Sequence, residues 1–413
     1  MLEDFINRSA AERLRSGVFG DYVEELCGRL AALGYSPVTI QHQLVTVSAL
    51  ARWMADRGHA VTDLDEACVT EFIDTYRARG RTCRGLRRTG LTLLQQLRSV
   101  GVIKPPEIRR DDSPFAILLA QYEVYLRQER AITEGTASEY VKIARTFLSE
   151  GLRGARGSVE SLSACHVRDF QLSQARQVAP KRAQYIGSAL RSFLRFLFAH
   201  GEISADLAPA VLTVRQGQRL SVPRHMSPED VERLLRSCDR SSATGRRNYA
   251  ILLLLARLGL RASEVIALEL DDLRWREAEI VVRGKGLIRD RLPLLSDVGE
   301  ALVVYLKKDR PQGASRRVFL CRRAPHRGLG HPSTLSTIVR RALARAGLSP
   351  TNHGAHLLRH SLATTMVRRG ASFAEIGQVL RHRSPNTTEL YAKLDFGALR
   401  DIALPWPTSR GAK

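Results

Sequence analysis

With 413 residues, this chain is long enough for about two to four domains with buried cores. Its composition, with 44% hydrophobic and 26% charged residues, is ordinary for a globular protein, but its formal net charge is +22. Such an excess of positive charge indicates a polyanionic partner, most commonly nucleic acid. The longest purely apolar run, at 250–256, is too short to span a bilayer, which argues against a membrane protein.

The N-terminus and the cysteines predict an intracellular protein. The segment MLEDFINRSA has acidic residues where a signal peptide would have a basic start and an apolar stretch. None of the six cysteines forms a CxxC pair, so the sequence indicates neither a disulfide framework nor a thiolate zinc site. We therefore expect a cytoplasmic, nucleoid-associated protein with no membrane partner.

The first half of the chain contains an internal repeat of helical segments. LDEACVTEF at 64–72 matches LSACHVRDF at 162–170, and LLQQLRSVGVI at 93–103 matches FLRFLFAHGEI at 193–203. The matches occur in the same order at nearly the same offset, which favours a duplicated module. Each copy is predicted to form about four amphipathic helices. Breaks rich in proline and charge place the two modules at 1–105 and 113–214, followed by a linker at 215–226.

Clusters of basic residues occur at matching places in the two copies. No acidic residue lies between Asp74 and Glu107, although many arginines do. Such runs are usually solvated faces, but the recurrence of this one favours an edge that contacts DNA phosphates. The candidate DNA-binding residues are Arg81, Arg84, Arg87 and Arg88 in the first copy, and Arg176, Lys181 and Arg182 in the second.

The second half of the chain carries most of the net charge and a mixed pattern of helices and strands. Residues 216–413 contain 35 basic and 18 acidic residues. Ser227-Pro-Glu-Asp predicts a helix N-terminus, and Ser333 is a candidate cap of a later helix. Alternating residues on both sides of Gly284-Lys-Gly predict a β-hairpin, and RVFLC at 317–321 is a candidate further strand.

The motifs of this half resemble the catalytic domain of the tyrosine recombinases, the phage-integrase and Xer-like family. LGLRASEVIALELDDL at 258–273 resembles the first arginine box, and HLLRH at 356–360 resembles the His-x-x-Arg box. The resemblance covers about 225–400, and the second helical copy looks like the family's core-binding domain. It implies a mainly α fold with a small β-sheet: two helical SAM-like core-binding modules, then an α+β catalytic domain at 227–400 and a tail for subunit docking at 401–413.

The resemblance also implies a catalytic set of six residues: Arg261, Lys285, His356, Arg359, His382 and Tyr391. In the family's reaction, a tyrosine attacks a DNA phosphodiester and leaves a 3′-phosphotyrosine link. Two arginines match the charge that develops on the phosphate oxygens, and a lysine can protonate the departing 5′ oxygen. The implied partners are double-stranded DNA and a homotetramer on two DNA sites, or related recombinase subunits, without a cofactor or metal.

Two positions depart from the family pattern. Leu357 follows the first histidine of HLLRH, where Asp is frequent, and Arg381 stands where a Leu-Gly-His motif has glycine. Neither change removes a reacting group, but the second can alter a turn. Glu264 and His360 are expected to be structural supports. His356 and His360 have the spacing of half a zinc site, but the glutamate of HExxH is absent.

Each candidate also has a plain structural explanation when taken alone. Tyr391 would then be an aromatic residue on a helix face, and Lys285 a turn lysine; only the combined spacings favour catalysis. The predicted function is site-specific DNA recombination or integration, with a mobile element as the expected source. Two alternatives remain open: a type IB topoisomerase-like enzyme and a DNA-binding accessory protein that does not cleave.

Overall fold

The computed structural model describes residues 1–80, 85–105, 115–152, 158–213, 225–284, 289–313, 315–351, 353–382 and 388. The chain divides into two compact units, one formed by Met1–Pro105 with Val222–Lys413 and the other by Pro106–Ser221. Within these described residues four hydrophobic clusters occur: one in each helical copy, a large one in the C-terminal part and a small one there formed by Ala363, Val367, Ile376 and Leu380. No helix within the described ranges is long and apolar enough to cross a membrane.

The N-terminal segment is helical, and polar caps begin several of its helices. Side chains of Asn7, Ser36 and Asp65 each accept a hydrogen bond from a backbone amide in the first turn, which stabilises the helix start. The helices are α1 (Arg8–Arg15), α2 (Gly20–Ala32), α3 (Pro37–Ala55), α4 (Glu66–Ala78) and α5 (Leu86–Ser99). Their apolar faces enclose one core.

The second unit is built from four helices around a core rich in aromatic residues. The helices are α6 (Ala116–Gln128), α7 (Glu134–Gly151), α8 (Ala164–Gln177) and α9 (Pro180–Ala199). Tyr122 on α6 packs edge-on against Phe193 on α9, with ring centroids 4.9 Å apart. Phe147 on α7 packs in the same way against Phe170 on α8, so ring packing ties the helices together.

Positions matched by the sequence repeat have the same local structure in both copies. Gly101 after α5 and Gly201 after α9 have φ angles of 77° and 74°. In each copy the next residue donates its amide to the carbonyl of the matched leucine, Leu97 or Leu197. This is a left-handed helix ending, which glycine adopts without steric cost.

The C-terminal part contains seven helices and a small sheet within the described residues. The elements are α10 (Pro228–Arg236), α11 (Ala243–Arg257), α12 (Ala262–Ala267), β1 (Leu273–Arg274), β2 (Glu279–Arg283), β3 (Arg289–Pro293), α13 (Ser296–Lys308), α14 (Ser333–Arg345), α15 (His356–Arg368) and α16 (Phe373–Leu380). The strands form an antiparallel sheet in the order β1-β2-β3. The apolar helix α11 is buried in the core between the other helices. The predicted fold class, mainly α with a small β-sheet, is confirmed.

Local expectations in this part were partly right. Ser227 caps α10 as predicted, since its hydroxyl accepts the Asp230 amide at 3.1 Å. Ser333 is not the cap of α14: it is the first helical residue, and its hydroxyl lies 2.8 Å from Nδ1 of His331. The segment 317–321 makes only isolated bridges and no strand, because its apolar residues fill the core without a continuous partner strand.

Candidate functional site

Arg261 stands directly before α12 and forms its N-terminal cap together with Glu264. The Glu264 carboxylate accepts the Arg261 backbone amide at 2.8 Å and the Nη1 atom at 2.7 Å. The Arg261 side chain is 35% exposed, whereas that of Glu264 is 4% exposed. Arg261 thus presents an accessible guanidinium whose direction is set by a buried acid.

Arg359 lies in the first turns of α15 with its side chain buried. Its Nη1 atom donates to the carbonyl of Gly259, and its Nη2 atom donates to the carbonyl of Leu380. Gly259 has a φ of 57°, and a Cβ atom there would lie 2.7 Å from Cδ2 of Leu380. The backbone conformation therefore favours glycine at this position, and an added Cβ atom would also displace the Leu380 side chain.

The two arginines converge on consecutive carbonyl groups. Arg261 donates from Nη2 to the carbonyl of Arg381 at 3.3 Å, next to the Leu380 carbonyl bound by Arg359. His382 follows directly in the chain. The end of α16 therefore brings Arg261 and Arg359, from the two arginine boxes, close to His382.

His382 is held neutral near pH 7 by its surroundings. Burial lowers the pKa of His382 to about 4, and the positive charges of Arg359, Arg261 and Arg381 add to this effect. Its Nδ1 atom lies 2.7 Å from the Thr388 hydroxyl, which orients the ring. A neutral, oriented imidazole carries a single N–H that can be donated to an anion.

His356 and His360 lie one turn apart on α15, with ring centroids separated by 6.4 Å. His356 is exposed and His360 is partly buried. Burial lowers the pKa of His360, helped by His356 and Arg359. No group of three His, Cys, Asp or Glu side chains is arranged to hold a metal ion in the part of the chain that the structure describes.

Glu264 is the acid at the centre of these cations. Burial alone would raise the pKa of Glu264, but the hydrogen bond from the Arg261 amide and the charges of Arg381 and Arg261 hold it below its ordinary value. Arg381 donates from Nη2 to Glu264 Oε2 at 2.8 Å. The carboxylate is therefore ionised and shared between two guanidinium groups.

Lys285 and Tyr391 lie outside the described residues, but the strands before and after Lys285 in the chain are described. Arg283 at the end of β2 pairs with Arg289 at the start of β3. The predicted hairpin is therefore present. On β3, Asp290 Oδ2 lies 3.9 Å from Nε of Arg381, which connects the hairpin to the turn that precedes His382.

The basic cluster of the first helical copy is described only in part, because Arg81 and Arg84 lie outside the described residues. Arg87 is exposed on the first turn of α5. Its neighbour Arg88 donates from Nη2 to the Tyr35 hydroxyl at 3.1 Å and to the Ala324 carbonyl at 3.2 Å. Arg88 thus contacts the C-terminal part of the same unit.

The basic cluster of the second copy lies at the junction of α8 and α9. Arg176, Lys181 and Arg182 are all exposed. Arg182 donates to Glu139 at 3.1 Å, and its guanidinium lies 5.2 Å from the centre of the Tyr185 ring. The exposed pair with Glu139 contributes little to stability, so a phosphate can compete for this arginine.

Two residues of the site were not expected from the sequence. Thr388 orients His382, and no motif pointed to it. Arg381 was considered only as a change in a turn, yet its side chain is 7% exposed and bonds the acid of the first arginine box. The feature of the sequence that pointed to Arg381 was an arginine where the motif has glycine. In the structure this residue has φ 55° and ψ 51°, a left-handed conformation that costs a residue with a side chain about 1–2 kcal/mol.

Known proteins resemble this chain over nearly its whole length. The model of the phage integrase family matches residues 224–397. The protein y4rA of Sinorhizobium fredii (strain NBRC 101917 / NGR234), which carries the name integrase/recombinase, is 40% identical over 408 residues, 98% of each chain. Tyrosine recombinase XerD of Listeria monocytogenes serotype 4b (strain F2365) is 30% identical over 296 residues, which cover 69% of this chain and 96% of XerD.

Solved structures share the fold at lower identity. The XerH recombinase in its post-cleavage complex with a palindromic difH substrate has a TM-score of 0.53 at 17% identity, covering 87% of this chain and 94% of XerH. A lambda integrase fragment bound as a dimer to a core site has a TM-score of 0.52 at 17% identity, covering 71% of this chain and 98% of the fragment.

The family model and these relatives identify an enzyme that breaks and rejoins DNA strands. The chain belongs to the phage integrase family of tyrosine recombinases and is a site-specific DNA recombinase. These relatives favour the recombinase over the topoisomerase-like and non-cleaving alternatives.

Proposed function

We propose that Tyr391 attacks a DNA phosphodiester held by Arg261 and Arg359, which leaves a 3′-phosphotyrosine link that the reverse reaction reseals. The observation that carries this proposal is the binding of both guanidinium groups to the consecutive carbonyls of Leu380 and Arg381, beside His382. An attacked phosphodiester builds negative charge on its non-bridging oxygens. Fixed cations aimed at that charge are commonly the largest catalytic contribution.

The remaining roles follow from the proton balance of the reaction. The Tyr391 phenol loses a proton as its oxygen bonds to phosphorus, and His356 is the proposed acceptor. The 5′ bridging oxygen leaves and gains a proton, which Lys285 is proposed to supply. Neutral His382 donates a hydrogen bond to the phosphate. Because the phosphotyrosine link retains the bond energy, rejoining needs no nucleotide cofactor.

Both helical copies are proposed to contact DNA phosphates through their basic clusters, which include the exposed Arg87, Arg176, Lys181 and Arg182. Arginine and lysine side chains at helix starts suit phosphate contacts, which position a protein without reading sequence. The proposed domains are a module at 1–105, a core-binding module at 113–214, a linker at 215–226 and a catalytic domain at 227–400.

The proposed assembly is a tetramer on two DNA sites, or a mixed assembly with related recombinase subunits, acting for a mobile element in the nucleoid. The tail proposed for subunit docking, at 401–413, overlaps the largely apolar segment ALRDIALPWP at 398–407. Exposure of this segment to water would be unfavourable unless another subunit covers it. These residues lie outside the described ones. Deleting 397–413 is expected to leave single-site binding unchanged and to lower the tetramer fraction in sedimentation on two-site DNA; an unchanged fraction contradicts this role.

A nicked suicide substrate tests the central proposal. Wild-type protein is expected to become covalently trapped on such DNA, because the released fragment cannot return for rejoining. Tyr391→Phe should bind the same site with equal affinity and give no covalent adduct on a denaturing gel. Tyr249→Phe, which removes another phenol from the C-terminal part, serves as the control and should trap normally. A persistent adduct with Tyr391→Phe rules out this nucleophile.

A further inference from the structure

Arg381 occupies a backbone position that a side chain does not favour. It ends α16 in the left-handed region, with φ 55° and ψ 51°. Glycine would adopt this conformation without steric cost, and glycine is what the motif Leu-Gly-His supplies there. An arginine therefore adopts this conformation at a backbone penalty, which contacts of its side chain can offset.

The Arg381 side chain is buried and directed into the first arginine box. Its Nη2 atom donates to Glu264 Oε2 at 2.8 Å, and Nη1 donates to the Val379 carbonyl at 3.1 Å. Its Nε atom lies 3.9 Å from Asp290 Oδ2 on β3. One guanidinium therefore joins the end of α16, the acid beside Arg261 and the hairpin strand.

Arg261 is clamped from two sides by this arrangement. Glu264 holds its backbone amide and Nη1 atom, while the Arg381 carbonyl holds its Nη2 atom. Each Nη atom carries a second N–H, and these can point toward one phosphate as a fork. Both sets of hydrogen bonds depend on Arg381. Its side chain holds Glu264, and its backbone carbonyl accepts the hydrogen bond from Arg261.

The charges lead to the same conclusion. Arg261 and Glu264 form a neutral pair, and Arg381 adds a positive charge to the same carboxylate, which Asp290 near its Nε atom balances. Arg381 therefore does not raise the net charge of this group, and its effect on Arg261 is one of orientation. The buried location of Glu264 and Arg381 limits screening by water and salt.

We infer that Arg381 is a positioning residue for strand cleavage: it fixes Glu264 and thereby orients Arg261 toward the scissile phosphate. This inference rests on the proposed role of Arg261 as a phosphate ligand. Arg381 itself does not contact the reacting atoms in this scheme. It acts through the carboxylate, and Asp290 extends the same connection to β3, the strand that follows Lys285 in the chain.

The variant Arg381→Gly separates this role from folding, because glycine favours the left-handed conformation. We expect its melting temperature to be at least as high as that of a matched Arg381→Ala variant. Single-turnover cleavage of the nicked substrate should slow by about 10- to 100-fold, the range expected when a catalytic group is misplaced by about 1 Å. The Kd for a single DNA site should not change. Arg368→Gln, which removes an exposed positive charge at the end of α15, is the control and should cleave at the wild-type rate.

A double-mutant cycle tests whether Arg381 acts through Glu264. In a Glu264→Gln background, Arg381→Gly should cause no further loss, and Arg381→Lys in the wild-type background should recover part of the rate because it keeps the charge. Full-speed cleavage by Arg381→Gly, or an equal fold loss in the Glu264→Gln background, overturns the inference. The variant Arg261→Ala separates a failure of the proposed function from a failure of this inference. If Arg261→Ala cleaves at the wild-type rate, the proposed function is wrong. If Arg261→Ala is inactive while Arg381→Gly cleaves normally, only the positioning role of Arg381 is wrong.

Discussion

At the scale of single residues, the site combines accessible and buried cations. Arg359 is 4% exposed and satisfies its guanidinium with backbone carbonyls, while Arg261 is partly exposed. A buried arginine bonded to carbonyls has little rotational freedom, so it can present its charge without reorganisation when the phosphate arrives. The less buried Arg261 depends on Glu264 for the same rigidity.

The lowered pKa of His382 leads to a prediction for stability against pH. The unfolded chain takes up a proton near pH 6.5 and the folded chain only near pH 4, so the unfolded state binds more protons between these values. Stability should therefore fall as pH decreases from about 6.5 to about 4. His360 contributes in the same direction, because its pKa is also lowered. In urea unfolding across this pH range, the free energy of unfolding of His382→Gln should depend less steeply on pH than that of wild type. An unchanged pH dependence contradicts the lowered pKa of His382.

At the scale of elements, the duplicated modules share a helix ending as well as a helix pattern. α5 and α9 both close with a left-handed glycine, followed two residues later by a buried isoleucine, Ile103 or Ile203. The glycine lets the chain reverse, and the isoleucine returns to the core. This pairing explains why the match between the two segments continues past the last helical residue.

The shared ending predicts equal effects of matched substitutions. A Cβ atom at Gly101 or Gly201 would meet nothing within 4 Å, so only the positive φ opposes it. Gly101→Ala and Gly201→Ala should each lower the free energy of unfolding by about 1–2 kcal/mol. Gly135→Ala in the first turn of α7, also in open space, should not destabilise. Urea unfolding measures all three, and a neutral Gly101→Ala would show that this helix end can rearrange.

At the scale of the whole molecule, charge is distributed by function. The C-terminal half holds most of the excess positive charge. The first module, residues 1–105, has 14 basic and 12 acidic residues and is nearly neutral only because its acid-free segment balances the acids elsewhere in it. Not every arginine of that segment faces solvent for DNA: Arg98 forms a double hydrogen bond with Glu66. Arg88 contacts Ala324. The cluster that remains for phosphate is therefore smaller than the sequence indicated.

The proposed contact of the first module with DNA can be tested by the salt dependence of binding. Changing Arg81, Arg84 and Arg87 to Gln together should weaken binding about equally for all sequences. The slope of log K against log salt should fall by about 0.9 for each lost phosphate contact, and the footprint should shorten on the side away from the cleavage site. Changing Arg8, Arg13 and Arg52 to Gln removes the same charge outside the acid-free segment and is the control. An unchanged slope and footprint would indicate a module that only contacts protein.

The sequence by itself determined most of the helices, the repeat, the strands around Lys285 and the spacing of the arginine and histidine motifs. These features depend on local periodicity and on residue types that one reaction requires, both of which can be read along the chain. The sequence did not predict α13, and it indicated about four helices in the first copy, where the described residues form five α-helices. The strand at Leu273–Arg274 was missed, because two residues carry no periodic signal. Only a paired neighbour makes them a strand.

The tertiary structure alone decided which groups meet. Arg381 bonds Glu264 across 117 residues, and Arg359 bonds the Gly259 carbonyl across 100 residues. No pattern along the chain predicts such pairs, because they depend on how α15 packs against α11 on one side and α16 on the other. A carbonyl acceptor carries no sequence signal at all, since every residue has one. Packing therefore determined that Arg381, which the sequence presented as a change in a turn, joins the site.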